Sequence, residues 1–358
     1  MAAKNPNKTN RGDSQSTTTS NNTPTAVCPT TSNETPTAVH QTGSNETPNA
    51  VRQPNNSKGS YSAKTANSVW EKRIEDAKKA WYKFSKNKLS VVGLCVVATV
   101  MLLALFAPFV TPYPTHAGAY TDFFNSCVGP GAKFFLGTDN MGRDILTRIV
   151  FSFRGALYMA IIVLAIAVPV GSFLGLMAGY MKNTWIDHLI MRITDVFLSV
   201  PALLLALAVA SILEANLTNA MIAITIMWWP WYARLMYGMA SSCRNEYYVI
   251  NAELTGASKG HIIFREILPN CLSPIFTKMA LDVGWVILIG ATLSYVGLGE
   301  QPPTPSLGQM VSDGARYMPD AWWMTIFPSL AIVIIILGFN FLGDGIGDML
   351  SKGDSKYE

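Results

Sequence analysis

Apolar runs long enough to cross a bilayer constrain this chain more than any other feature. Six stretches qualify, at about 89–111, 153–180, 190–213, 218–240, 276–298 and 323–343. Each reaches or exceeds the roughly twenty residues that a bilayer's hydrocarbon core demands. Lipid offers no hydrogen bonds to an exposed amide, so each run has to satisfy its own backbone as a helix. Only 14% of residues are charged and 49% are hydrophobic, against roughly 25% charged in a soluble domain. The expected fold class is an all-α membrane protein with six transmembrane helices. In the second run, Gly171, Gly175 and Gly179 recur every four residues, a spacing that lets two helices approach closely. Pro169 and Pro230 are expected to kink their helices.

Charge placement sets the expected orientation. Lys72, Arg73, Lys78, Lys79, Lys83, Lys86 and Lys88 crowd the entrance to the first span, which holds that end in the cytoplasm. Counting forward, loops 112–152, 214–217 and 299–322 face outward. Loops 181–189 and 241–275, and both termini, face inward. Lys182, Arg192, Arg244, Lys259, Arg265 and Lys278 fit this topology. Lys133, Arg143, Arg148 and Arg154 stand on the outer side and do not.

Residues 1–67 are of another kind. They are rich in Asn, Thr, Ser and Pro and have too few large apolar side chains to offset chain entropy. A twelve-residue repeat sets Pro24, Pro36 and Pro48 in register, without the hydrophobic face that stacked repeats need. The expectation is a disordered cytoplasmic tail. No apolar signal segment precedes residue 89, so the first span is expected to act as its own insertion signal. Over 68–88, Ser68 and Glu71 form a capping-box pattern, and Trp70, Ile74, Ala77, Trp81 and Phe84 recur at helical spacing. This suits an amphipathic helix at the membrane interface or one packed on a neighbouring subunit.

Two outer loops carry structure of their own. In 112–152, Ile145, Leu146, Ile149 and Val150 form a stripe beside Arg143, Asp144, Arg148 and Arg154, reading as a short amphipathic helix that feeds the second span. The loop 299–322 is proline-rich and ends in aromatic residues, as a compact rim would. The inner loop 243–275 is charged, helix-compatible and about thirty residues long, and loops of that length usually have a function. Facing the cytoplasm, it is a place for a soluble partner to grip.

Catalytic chemistry is hard to place here. There is no glycine-rich phosphate loop ending in Lys-Ser/Thr. His40, His116, His188 and His261 are scattered across both expected sides of the membrane, leaving no nucleophile–base set and no metal site. The five cysteines show no ligand spacing, and only Cys127 lies outside, so no intrachain disulfide is expected. Intramembrane ionisable residues are costly and therefore candidates for function. Asp282, about two turns into the fifth span, and Arg234, near the inner end of the fourth, are the candidates for translocation or gating. A structural role for Asp282, paired with Arg234 or Lys278, is the competing reading. Elsewhere the spans are smooth, which favours a passage opened by moving helices and driven from outside the chain.

From about Trp81 to Asp348 the chain resembles the permease subunits of binding-protein-dependent ABC importers, of the dipeptide/oligopeptide and nickel class. Their cytoplasmic loop reads Glu-Ala-Ala, three residues, Gly, nine residues, Ile, one residue, Leu-Pro. Ala252, Gly256, Leu268 and Pro269 fall on that pattern, while Ile250, Asn251 and Glu266 depart from it. The stretches FSKNKLSVVGL (84–94), LGTDNMGRDILTR (136–148), WWPWYARL (228–235), SYVGLGEQPPTPSLGQM (294–310) and FNFLGDGIGDML (339–350) are similar too. In the last, Gly347 stands where many relatives carry arginine.

The resemblance implies the type I ABC importer permease fold over 89–350, with 243–275 as a cytoplasmic coupling-helix loop seated on an ATPase. Ala252, Gly256, Ala257, Ser258, Ile262, Phe264, Leu268, Pro269 and Asn270 would carry that contact. Gly256 would allow close backbone approach or a turn between two short helices. Ile262, Ile263, Phe264 and Ile267 would give an apolar face, and Pro269 would stop the second helix. The implied partners are a second permease subunit, two ATP-binding subunits, an extracytoplasmic substrate-binding protein, peptide cargo and membrane lipid. No nucleic-acid partner and no cofactor in this chain are expected, and ATP hydrolysis belongs to separate subunits. The setting is the inner or plasma membrane. Nickel, glutathione or oligosaccharide remain as other cargoes. A carrier driven by protons or sodium is the reading from another class, and it needs more intramembrane acids and broken-helix repeats than this sequence supplies. A membrane anchor assembled through the repeat tail is a third.

Overall fold

The computed structural model describes residues 74–75 and 77–350; the repeat tail, the Ser68–Glu71 cap and Trp70 lie outside the described residues. Nine main helices carry the fold: α1 Lys88–Leu105, α2 Ile145–Tyr180, α3 Trp185–Ser199, α4 Ala202–Ile212, α5 Leu217–Cys243, α6 Tyr247–Leu254, α7 Lys259–Tyr295, α8 Leu307–Ala315 and α9 Trp323–Leu350. The regular structure among the described residues is helical, with one isolated bridge between Thr138 and Asp144. The largest interface joins α2 to α5, and α9 packs against both α1 and α7.

Among the described residues, length and composition alone do not confirm the count of six spans. Four helices, α1, α2, α7 and α9, are long and apolar enough to cross a membrane. The expected span 190–213 is instead the pair α3 and α4, bent by 91°. Pro201 is the cause: the residue before a proline is pushed out of helical geometry, and Val200 is extended at φ −92°, ψ 133°. Counting that pair as one crossing gives five. The expected span 218–240 is helical as α5, at 27 residues, but Asn219, Trp228, Tyr232 and Arg234 dilute its apolar character.

Helix α2 revises another expectation. Its 36 residues run without interruption from Ile145, so the outer amphipathic stripe and the second span are a single element. At about 1.5 Å per residue this is about 54 Å, well beyond the ~30 Å hydrocarbon core. The extra turns project from the expected outer face, with Ile145, Ile149 and Val150 buried. Pro169 and Pro230 both lie inside continuous helices.

The glycine row does what its spacing implied. A Cβ on Gly171 would sit 2.3 Å from the Trp229 carbonyl oxygen, on Gly175 2.1 Å from that of Ala233, and on Gly179 2.7 Å from that of Tyr237. Backbone therefore lies directly on backbone along the α2–α5 contact. Helices 77–86 and α9 meet differently: Phe84 is buried, and its ring occupies the space a Cβ on Gly345 would need. Trp81 stacks on Phe84 at 5.7 Å and is otherwise exposed, as is Tyr82.

The loop before α2 accounts for three of the four misplaced basic residues, Arg143, Arg148 and Arg154. Asp139 accepts from the backbone N–H groups of Met141 and Arg143, each at 2.9 Å, and from Arg143 Nε at 2.7 Å. Arg148 lies 3.7 Å from the same carboxylate. Arg154 donates to the carbonyls of Ala104 and Leu105 at the end of α1. These cations are consumed in fixing the loop. Gly142, at φ +76°, is a turn position where any side chain would strike the Asp122 carbonyl. Asp144 caps α2, its Oδ2 accepting from the Thr147 N–H and hydroxyl at 2.8 and 2.7 Å.

His116 locks this loop and gives it a pH dependence. Its ring stacks between Tyr113 and Tyr120, with centroids at 4.9 and 4.1 Å, and Nδ1 accepts from the Asp144 N–H at 3.0 Å. Burial holds its pKa below the ordinary 6.5, against the upward pull of Asp144, Asp139 and Asp122; Arg143 adds to the lowering. A depressed histidine pKa means the folded state binds fewer protons than the unfolded one. The stabilisation is complete above about 6.5 and is lost as pH falls through the folded value. Thermal stability of the purified protein is expected to fall on acidification below pH 6.5, with a shallower fall in His116→Gln.

Candidate functional site

The turn around Gly256 is the most fully determined feature of the inner loop. Helix α6 ends in a Schellman motif: the Gly256 N–H bonds the Glu253 carbonyl and the Ala257 N–H bonds the Ala252 carbonyl, each at 3.0 Å. Gly256 takes φ +81°, and a Cβ there would meet nothing within 4 Å. Its role is thus the left-handed turn, not close approach. Ser258 then caps the next helix, its Oγ accepting from the His261 N–H at 3.3 Å. Ala252, Gly256, Ala257 and Ser258 are one stop-and-restart device.

Helix α7 corrects two expectations. It does not stop at Pro269 but continues to Tyr295. A wide π turn over Ile262–Ile267 precedes the proline and opens the backbone where its ring and missing N–H would break an α turn. Asn270 Nδ2 donates to the Glu266 carbonyl at 2.8 Å beside it. The apolar face also differs from the expected one. Ile262 and Ile267 are buried and anchor the loop with Val249 and Cys271. The exposed apolar row is on α6 instead: Tyr247 (83% exposed), Ile250 and Leu254 (80%), at i, i+3 and i+7. Phe264 is half-exposed and stacks on Phe173 at 6.4 Å. The sequence signal for the α6 row was present in YYVINAEL, but it is too short a period to stand out. Pro269 and Asn270 are exposed and Leu268 is half-buried. Tyr180 Oη donates to Glu253 Oε1 at 3.1 Å, tying α6 to the end of α2.

The two ionisable candidates within the spans are separate. Arg234 pairs with Asp195 of α3, both partly exposed. Asp282 is 5% exposed and pairs with Lys278 one turn away, at 3.1 Å from Oδ1 and 3.0 Å from Oδ2. Trp228 Nε1 donates to Asp282 Oδ2 at 3.0 Å from the neighbouring α5. Around this pair lies a cavity of about 340 Å³ lined by Ala202, Trp228, Trp231, Lys278, Trp285 and Ile289, together with Asp282. The tryptophans were not among the sequence candidates; the interval of three between Trp228 and Trp231 marked those on α5, and Trp285 comes from α7. Among the described residues, no three His, Cys, Asp or Glu side chains gather as a metal would require.

Apolar helices long enough to cross a membrane, a built turn in the inner loop and a cavity around the Lys278–Asp282 pair are the features of a membrane-embedded helical protein. Residues 171–353 match the family model of the binding-protein-dependent transport system inner membrane component, and residues 77–126 match the N-terminal transmembrane domain of oligopeptide transport permease C. The chain belongs to this family of transport-system inner membrane components. It is 41% identical to a dipeptide transport system permease protein, DppC, of Alkalihalophilus pseudofirmus, over 80% of this chain and 90% of that one. It is 36% identical to the dipeptide permease DppC of Haemophilus influenzae, covering 75% and 92%. Against the glutathione transport system permease protein GsiD of Pectobacterium atrosepticum the identity is 37%, covering 75% and 89%. A solved inward-facing structure of the MetNI methionine ABC transporter aligns with TM-score 0.49 and 17% identity, over 58% of this chain and 98% of that one.

Proposed function

We infer that this chain is one of two membrane-spanning subunits of an ATP-driven importer of di- and oligopeptides. The names of relatives at 36–41% identity support the peptide cargo. In this reading the chain sits in the inner membrane with both termini in the cytoplasm. It pairs with a second permease subunit and receives cargo from an extracytoplasmic binding protein. Two ATP-binding subunits hydrolyse ATP, and this chain catalyses nothing itself.

The observation that carries the reading is the exposed row of Tyr247, Ile250 and Leu254 on a short helix held rigidly by the Gly256 turn. An apolar row at i, i+3 and i+7 is the pattern by which a helix seats in a partner's groove. The buried row of Val249, Ile262 and Ile267 beneath it passes any displacement of α6 into α7. Movement of the ATP-binding subunits would thereby tilt α7, and with it the Asp282 region. This couples two distant sites through one two-state element.

Two substitutions test it. Gly256→Val forces a β-branched residue into left-handed geometry at a cost of about 1–2 kcal/mol, so the turn reorganises. Peptide uptake by the assembled transporter is expected to fall by about tenfold, the equivalent of about 1.4 kcal/mol. Gly256→Asn, which tolerates that geometry, is expected to retain most uptake. Leu254→Glu leaves the fold intact but is expected to prevent co-purification of the ATP-binding subunits. Normal uptake in Gly256→Val together with normal assembly in Leu254→Glu would remove this loop from the coupling path.

A further inference from the structure

We propose that the cavity between α5 and α7 is a station on the transport path that holds a short peptide by its two charged termini. This rests on the reading of the chain as a peptide permease and adds the place and chemistry of cargo contact within the membrane. The cavity's volume, about 340 Å³, lies within the range of small-ligand sites. A second cavity of about 650 Å³, lined by Leu235, Ser273, Thr277, Leu281 and Gly347, shares Lys278, Asp282 and Trp285 with it. The station thus opens toward the end of the bundle that carries the inner loop.

The lining suits a zwitterion with variable side chains. A charged pair facing hydrocarbon would be costly, so this face belongs to a wet or protein-covered surface. Both Asp282 oxygens are engaged, by Lys278 and by Trp228. Lys278 has three N–H donors and remains partly exposed at the cavity wall, free to receive a peptide carboxylate as well. The half-exposed Trp231 and Trp285 offer ring faces to a peptide ammonium. Lys278 Nζ already lies 6.0 Å from the Trp231 ring and 5.4 Å from that of Tyr232. Indole faces accept many side chains without selecting among them, whereas the ammonium selects the terminus that every free peptide shares. An ion pair kept only for stability needs neither the surrounding indoles nor the open volume.

The test uses the fully assembled transporter in inside-out vesicles carrying Ile289→Cys, a lining position given no part in holding the peptide, with thiol labelling at position 289 read by mass spectrometry. A free dipeptide is expected to slow labelling about fivefold once it stands at about four times its Kd. The same dipeptide with an acetylated amino end and an amidated carboxyl end is expected to leave labelling unchanged. Adding Lys278→Gln is expected to abolish protection by the free form. Ala202→Cys reads the same cavity if Ile289→Cys does not assemble. Absence of protection, equal protection by the blocked peptide, or protection that survives Lys278→Gln would each overturn the proposal. Uptake of the dipeptide by the unaltered transporter separates the two levels: uptake without protection removes only the station, and failure of both removes the peptide reading with it.

Discussion

Gly175→Leu is expected to prevent α2 and α5 from packing and to yield little folded protein. The added Cβ alone would sit 2.1 Å from the Ala233 carbonyl oxygen and 2.8 Å from its carbon. Those are backbone atoms, so no side-chain rotation relieves the clash. Either the helices separate over several turns or the bundle reorganises. Overpacking a tight site costs about 1–3 kcal/mol even where side chains can shift, and here they cannot, so about 3 kcal/mol or more is expected. Gly175→Ala is expected to fall in the same direction with a smaller effect. Gly238, on α5 itself, is the control, because a Cβ there meets nothing within 4 Å. Gly238→Ala is expected to change stability by no more than about 0.5 kcal/mol. Membrane yield and thermal unfolding in detergent distinguish the three. Equal behaviour of Gly175→Leu and Gly238→Ala would mean that α2 and α5 do not meet along this row.

Asp282→Ala carries the second large effect. It leaves the Lys278 ammonium, part-buried within a long apolar helix, without its counter-ion and removes the acceptor of Trp228 Nε1. Breaking a buried pair from one side costs about 3–5 kcal/mol. Lys278 keeps partial exposure, which places the expected loss near about 3 kcal/mol at the lower end of that range. Asp282→Asn retains an acceptor for Trp228 and is expected to cost less. Thermal unfolding of the two variants gives the order. A proton- or sodium-coupled carrier makes a different demand, since neutralising its carboxylate stops transport while stability holds. Asp282→Asn that is as stable as the parent yet inert in transport would favour that carrier.

Much of the architecture was readable because lipid leaves the backbone few choices. Length and hydropathy found the helical segments, and the four-residue glycine spacing found the tightest interface. The pair α3 and α4 was missed because an average over LSVPALLLAL cannot register one proline. The dihedral change at Val200 is local, whereas hydropathy is a property of the whole window. Helix α5 coincides with the expected span 218–240, but Trp228 and Trp231 line a cavity and Arg234 pairs with α3, which lowers its mean hydropathy below that of the four long apolar helices.

The candidate sites divide along the same line. The Gly256 turn was legible because its chemistry is local: a left-handed residue four positions after the carbonyl it helps to satisfy, followed by a serine cap. The pairing of Lys278 with Asp282 follows from a separation of four on one helix. Trp228 on Asp282 and Asp195 on Arg234 join helices that no periodicity connects. The outward row on α6 was overlooked for a similar reason. Which of two apolar rows in a short loop faces inward depends on what packs beneath it, and Val249, Ile262 and Ile267 are buried by neighbours distant in sequence.

The most direct measurement is dipeptide uptake into proteoliposomes holding this chain, its partner permease subunit and the ATP-binding subunits, with the ATP-binding subunits facing the lumen and binding protein and cargo outside. Uptake is expected only with ATP inside the ATPase-facing compartment, to persist when proton and sodium gradients are collapsed, and to fall about tenfold in Gly256→Val. Uptake that proceeds without ATP and follows an ion gradient would contradict the reading of this chain as a permease driven through its inner loop.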